Sequence, residues 1–147
     1  PLCRGTWLLN MLYLRSGLMK SLTLREVPGP LAVLRLPPGS PVPEWATLSA
    51  FWCAVNTPEE LSLVCDPRHI PPLTPGLSIE GPWRALRVEG TLDFSLTGIV
   101  AALARPLAEA HITLFAVSTF TTDYLLVRAN AYEAAKAVLL KAGHQFS

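Results

Sequence analysis

Charge is scarce in this sequence. Of 147 residues only 16% are charged, and 12 Lys and Arg against 11 Asp and Glu leave a net charge of +1. The basic residues are scattered singly, and only two lysines lie beyond Lys20. The basic patch of a nucleic-acid binder is therefore missing, and no nucleic-acid partner is expected. Half the residues are apolar, which excludes a disordered chain. That supply suffices for one ordinary domain or two small ones sharing a core.

Cysteine and histidine are also few. Cys3, Cys53 and Cys65 make an odd count without metal-ligand spacing, and His69, His111 and His144 lie as far apart. A disulfide framework and a metal site are both excluded as expectations, and free thiols fit a reducing, cytoplasmic setting. Long hydrophobic runs are missing too. Trp7–Leu14, between Arg4 and Arg15, spans eight residues and contains Asn10. It is too short to cross a bilayer and precedes no small-residue cleavage site. Strand-like patterning starts only after Met19, so residues 1–18 are expected to be an upstream or disordered segment, with Met19 the natural start. There is no G-x-S-x-G elbow, H-E-x-x-H pair or phosphate-cradling glycine loop. Cys53 lacks a basic neighbour in sequence to activate it. Neither catalysis nor a cofactor is expected.

What the chain has is proline, glycine and well-patterned short segments. Ser21–Glu26 alternates like a strand, Pro28-Gly29-Pro30 signals a turn, and Leu31–Leu36 reads as the returning strand. A loop from Pro37 to Pro43 leads into a short turn at Glu44-Trp45. Ser49–Val55 and Leu61–Cys65 are strand candidates around the turn Thr57–Glu60. A breaker zone from Pro67 to Pro82, with five Pro and two Gly, is the credible boundary between halves 19–78 and 79–147. Beyond it Trp83–Glu89 reads as a strand. Leu92–Ala110 reads as a helix with Asp93 or Ser95 as N-cap and Ile99, Leu103, Leu107 and Ala110 on one face. Pro106 should kink or shorten that helix. Ile112–Thr119 and Tyr124–Arg128 are strands. A last helix should start at Asn130 as N-cap, with Glu133 completing a capping box, and stop at Gly143. The order strand, helix, strand, strand, helix is most of a ferredoxin-like unit. The unit's sixth strand is expected from Ser21–Leu36, since only His144–Ser147 follows the last helix, and this would interlock the halves.

An internal repeat supports two related halves. Ala54-Val55-Asn56-Thr57 matches Ala116-Val117-Ser118-Thr119, and Glu60–Val64 matches Asp123–Val127 with one residue fewer in the first loop.

The strings Gly98-Ile99-Val100-Ala101, Pro106-Leu107-Ala108, Ala110-His111-Ile112, Ser118-Thr119-Phe120, Asp123 and Leu126-Val127 resemble the ACT-domain superfamily. The closest class is the aspartate-kinase-like tandem ACT proteins. The resemblance runs from Met19 to His144, dense in the second half and thin in the first. It implies an α/β (α+β) fold of two ferredoxin-like halves, antiparallel sheets backed by helices. It also implies a regulatory protein holding an amino acid or similar small metabolite between the halves, with a homodimer or a regulated protein as partner. Gly98 and Ile99 would offer backbone groups to the ligand, Ser118, Thr119 and Phe120 would line its site, and Asp123 would face a cationic group. In the repeat, Val55 and Asn56 stand where Val117 and Ser118 stand, and they join the expected ligand-binding set with Thr97. Where arginine-binding members carry a glutamate two residues before that glycine, this sequence has Leu96.

The residue types fit that chemistry on their own. A free amino acid presents a carboxylate, which suits the unpaired N–H groups and dipole of a helix start such as Thr97-Gly98. It also presents an ammonium, which suits Asp123. Plainer roles stand beside these. Gly98 could serve close helix–sheet packing, Asp123 could be a turn residue bonding its own backbone, and Phe120 could be core. A ligand-independent interaction or oligomerisation module is the alternative function.

Overall fold

A computed structural model describes residues 21–90, 92 and 97–147. The expectations for residues 1–18, and for Asp93, Ser95 and Leu96, lie outside the described residues. Among the described residues seven strands form one sheet: β1 (Thr23–Leu36), β2 (Cys53–Asn56), β3 (Leu61–Cys65), β4 (Ser78–Val88), β5 (Leu114–Ser118), β6 (Asp123–Arg128) and β7 (Gln145–Phe146). Three α-helices accompany them: α1 (Glu44–Thr47), α2 (Ile99–Glu109) and α3 (Tyr132–Lys141). None is long and apolar enough to cross a membrane.

The sheet order is β2-β3-β1-β4-β6-β5, all antiparallel, with β7 parallel beside the start of β1 at Thr23↔Gln145. The expected α+β, ferredoxin-like class is what the chain adopts. β1 lies next to β4, as expected of Ser21–Leu36, and Gln145–Phe146 adds a strand that was not expected, β7, which closes beside β1. The long strand β1 gives Leu24 to one core cluster and Leu34 to another.

The expected turn at Pro28-Gly29-Pro30 is not one. Val27 pairs with Ala85 and Leu31 with Trp83, so both flanks lie on the same partner in the same direction. A hairpin would reverse the chain. Here the extra residues are absorbed as an irregularity in one 14-residue strand, because two prolines without N–H donors are tolerated only where the ladder is broken.

Apolar side chains divide by face. Leu24, Leu86, Val88, Leu125 and Val127 meet Ile99, Leu103 and Leu107 of α2 and Tyr132, Ala135 and Leu139 of α3. The i, i+4, i+8 spacing of Ile99, Leu103 and Leu107 makes one helical stripe, and burying each leucine contributes about 2 kcal/mol. Leu34, Leu36, Leu61 and Leu63 pack with Ala46 of α1. A third cluster of Leu31, Val64, Trp83, Ala85 and Leu126 draws in Phe51, Cys53, Val117 and Tyr124. Phe51, ahead of edge strand β2, stacks on Tyr124 of β6 with ring centroids 4.8 Å apart, although three strands separate β2 from β6. The sheet therefore curls, and the third cluster lines its concave side.

The helix ends correct several expectations. Residues Leu92 and Thr97 are not helical, and α2 starts at Ile99 because Gly98 is left-handed at φ 80°. Ala110 lies past the helix end and is exposed. The capping box is not formed: Asn130 sits in a 3₁₀ turn, Ala129–Ala131, and no side chain caps α3. Glu133 instead approaches Arg84 at 3.5 Å. The stop at Gly143 is as expected. With φ 93°, Gly143 N–H donates to Leu140 O and His144 N–H to Leu139 O, both at 3.0 Å, which is the Schellman pairing.

The two hairpins are closed alike. Thr57 N–H donates to Glu60 O and Thr119 N–H to Thr122 O, both at 2.9 Å, with Asn56↔Leu61 and Ser118↔Asp123 as the first strand pairs. The loops thus have equal length, which corrects the one-residue gap of the sequence match. Leu61, buried in the core, occupies the place of Asp123. The first hairpin carries no carboxylate at that position.

Candidate functional site

The β5–β6 turn and the start of α2 face each other across an open cleft of about 370 Å³, within the range of small-molecule sites. The helix side is built by Gly98. Its positive φ turns the chain into α2, and the first helical bond is Ala102 N–H to Gly98 O at 2.8 Å. The N–H groups of Ile99, Val100 and Ala101 therefore have no partner within the helix. All three residues line the cleft. A Cβ added to Gly98 would meet nothing within 4 Å, so close helix–sheet packing is not what requires glycine here. The conformation is.

The opposite wall is a turn held by its own threonines. Thr119 Oγ1 donates to Thr122 O at 2.7 Å, and Thr122 N–H donates to Thr119 Oγ1 at 3.2 Å. Thr122 is buried and its hydroxyl donates to Val88 O at 2.6 Å, which ties the turn to the end of β4. Leu92 N–H donates to Thr121 O at 2.8 Å and closes one side.

Asp123 opens β6 beside this turn, half-buried. Its Oδ1 accepts from Ser118 Oγ at 2.6 Å, a bond across the strand pair, not the local turn bond of the plainer reading. Among the described residues Asp123 forms no ion pair with a cation. The cleft thus sets three backbone donors and the positive end of a helix dipole against one carboxylate, with hydroxyls and apolar side chains between.

Of the expected site residues, Gly98, Ile99, Ser118, Thr119, Phe120 and Asp123 line this one cleft. Phe120 stands at the turn tip, 81% exposed, not in the core. Thr97 is exposed just ahead of Gly98 and does not line it. Val55 and Asn56 lie on exposed edge strand β2, outside the cleft. Leu92, Val100, Ala101, Thr121 and Thr122 line it without having been expected. A helix start set at Gly98 rather than Leu92 would have found Val100 and Ala101 from the count of orphaned N–H groups. Leu92 reaches the cleft through a tertiary bond that leaves no trace in local sequence. No group of three or more His, Cys, Asp or Glu suited to a metal occurs among the described residues.

Comparison with known proteins agrees with this arrangement. The family model described as an ACT domain matches residues 78–141, which include the whole cleft, and a model of an N-terminal domain matches residues 29–72. A crystal structure of an Agrobacterium tumefaciens protein is 33% identical, covers 87% of this chain and 93% of its own, and superposes with a TM-score of 0.80. Clostridium acetobutylicum aspartate kinase shares the fold over 86% of this chain and 35% of its own, at 12% identity and a TM-score of 0.60. The human cytosolic arginine sensor for mTORC1 subunit 1 is 30% identical over 86 residues, 53% of this chain and 26% of the sensor. The chain thus matches about a quarter of the length of its curated relatives. Helix start, facing hairpin and matched residues coincide, and residues 78–141 of this chain are an ACT domain.

Proposed function

We propose that this chain is a non-catalytic regulatory protein that binds an amino acid or similar small metabolite in the cleft between α2 and the β5–β6 turn. The observation that carries the reading is Asp123, a carboxylate without a cationic partner among the described residues, set across from the start of α2 at Ile99, Val100 and Ala101. An α-amino acid offers the complement: its carboxylate suits the helix start and its ammonium suits Asp123. A relative named as an arginine sensor, and aspartate-kinase regulatory subunits of like fold, favour the same role.

The cleft is open, with Ser118, Thr119 and Phe120 all exposed, so a bound amino acid needs a cover. In this reading a second copy of the chain supplies it, and Val55 and Asn56 on the exposed β2 edge belong to that cover. The halves 19–78 and 79–147 would then act as the two modules between which ligand is held. Binding signals only if it favours one arrangement of the copies over another. The free thiols favour a cytoplasmic setting.

The alternative is a ligand-independent oligomerisation module. It is favoured by Val55 and Phe115, 57% and 37% exposed on the strands at the two ends of the sheet order. A thermal-shift screen against the twenty amino acids separates the two. At a hundred times its dissociation constant a ligand adds about 2.7 kcal/mol, several degrees for a chain of this size. A selective shift that disappears in Asp123→Ala supports the sensor. Self-association at one concentration with and without every amino acid, and no shift, supports the module.

A further inference from the structure

Resting on the reading that this cleft takes an amino acid, we infer that it selects against amino acids with an acidic side chain. The charge inventory carries this. Among the described lining residues Asp123 is the charged one, and the positive pole is the start of α2. No described Lys, Arg or His lines the cleft, and residues 91–98 contain none, their one charged residue being Asp93.

An α-amino acid group uses both poles. Its carboxylate takes the first-turn N–H groups, and its ammonium takes Asp123. What remains for the ligand's side chain is Leu92, Val100 and Phe120, with the hydroxyl of Thr121. A glutamate or aspartate ligand brings a second carboxylate to a site with a single helix start and a carboxylate of its own. The half-charge of a helix dipole does not offset two anions. Removing an ionised group from water without a partner is unfavourable in either case. A side chain such as that of valine, leucine or threonine meets no such penalty.

The test is isothermal titration of the full chain with leucine, valine, threonine, glutamate, aspartate, arginine and lysine under one set of conditions. At least one amino acid without an acidic side chain is expected to bind no less than tenfold tighter than glutamate and aspartate. Tightest binding of glutamate or aspartate would overturn this inference while leaving the amino-acid reading intact. Absence of heat with every amino acid, checked by the thermal screen, would overturn both. Thr121→Arg supplies a positive control within the same cleft. It adds the missing cation at an exposed position, and gain of glutamate binding is expected. Unchanged glutamate binding in a folded Thr121→Arg protein would show that the charge inventory does not set selectivity.

Discussion

His144 stands over the carbonyl of Ala102, with Nε2 3.4 Å from the oxygen. Pro106, four residues on in α2, has no N–H to give that carbonyl its helical bond. The ring's other nitrogen, Nδ1, accepts from Leu22 N–H at 3.3 Å. A buried imidazole thus joins the prolyl break in α2 to the first residues of β1. The pairing lets an 11-residue helix carry Pro106 without ending there. His144→Leu is expected to cost about 1–3 kcal/mol by leaving a buried donor and acceptor unpaired. Pro106→Ala restores a helical N–H for Ala102 O, so the two changes should be non-additive. A double-mutant cycle by urea unfolding reads the coupling, and additivity within about 0.5 kcal/mol would mean the two residues act separately.

His111 ends α2 as Gly143 ends α3. His111 N–H donates to Ala108 O at 3.0 Å and Ile112 N–H to Leu107 O at 2.8 Å, the pairing that Gly143 and His144 make. His111 does this at φ 57°, where a side chain costs about 1–2 kcal/mol. His111→Gly is therefore expected to raise stability by a few tenths to about 1 kcal/mol. Gly143→Ala is expected to lower it by about 1 kcal/mol. Thermal unfolding of both variants checks the opposite signs.

Gly98→Ala separates conformation from packing. The new Cβ meets no atom within 4 Å, yet φ stays at 80°. A loss of about 1 kcal/mol is expected, together with a weaker amino-acid-induced shift as the start of α2 relaxes. A loss of several kcal/mol would mark a packing site instead.

Alkaline pH should weaken the fold by a route that names its groups. Burial, then the nearby Asp66 charge, pushes the Cys65 thiol up from 9.0 to about 11. Burial, then Glu26, pushes the Tyr132 phenol from 10.0 to about 12. Both are acids kept neutral in the folded chain, so the unfolded chain loses its protons first. Stability is therefore full below about pH 8 and falls as pH rises through 9 to 11, by up to about 1.4 kcal/mol per unit for each group titrating. Urea unfolding at pH 8 and pH 10.5 should show the drop, and Cys65→Ala should show less of it. In the folded protein at pH 8 a disulfide reagent should leave Cys65 unmodified.

Much of the second half was legible in sequence because its signals are local. Ile99, Leu103 and Leu107 share one helical face, Gly143 stops a helix, and Leu114–Ser118 and Asp123–Arg128 are short, largely apolar runs on either side of a polar turn. Pro28-Gly29-Pro30 misled because a turn and a break within a long strand use the same residues. Only the common partner β4 decides between them. The match of Glu60 with Asp123 misled because a carboxylate near a turn was aligned by type, whereas the threonine that closes each turn sets the register.

By itself the sequence determined the α+β class, the helix stops and the hairpin turns. Each depends on backbone preference or side-chain period within a few positions. The tertiary structure decided where α2 begins, that β1 is one strand, that β2 lies apart from the cleft, and that Leu92 and Thr122 help to build it. Those features depend on which distant backbone groups find each other: Leu92 with Thr121, Thr122 with Val88 and His144 with Ala102. A hydrogen bond between residues tens of positions apart has no local period to announce it.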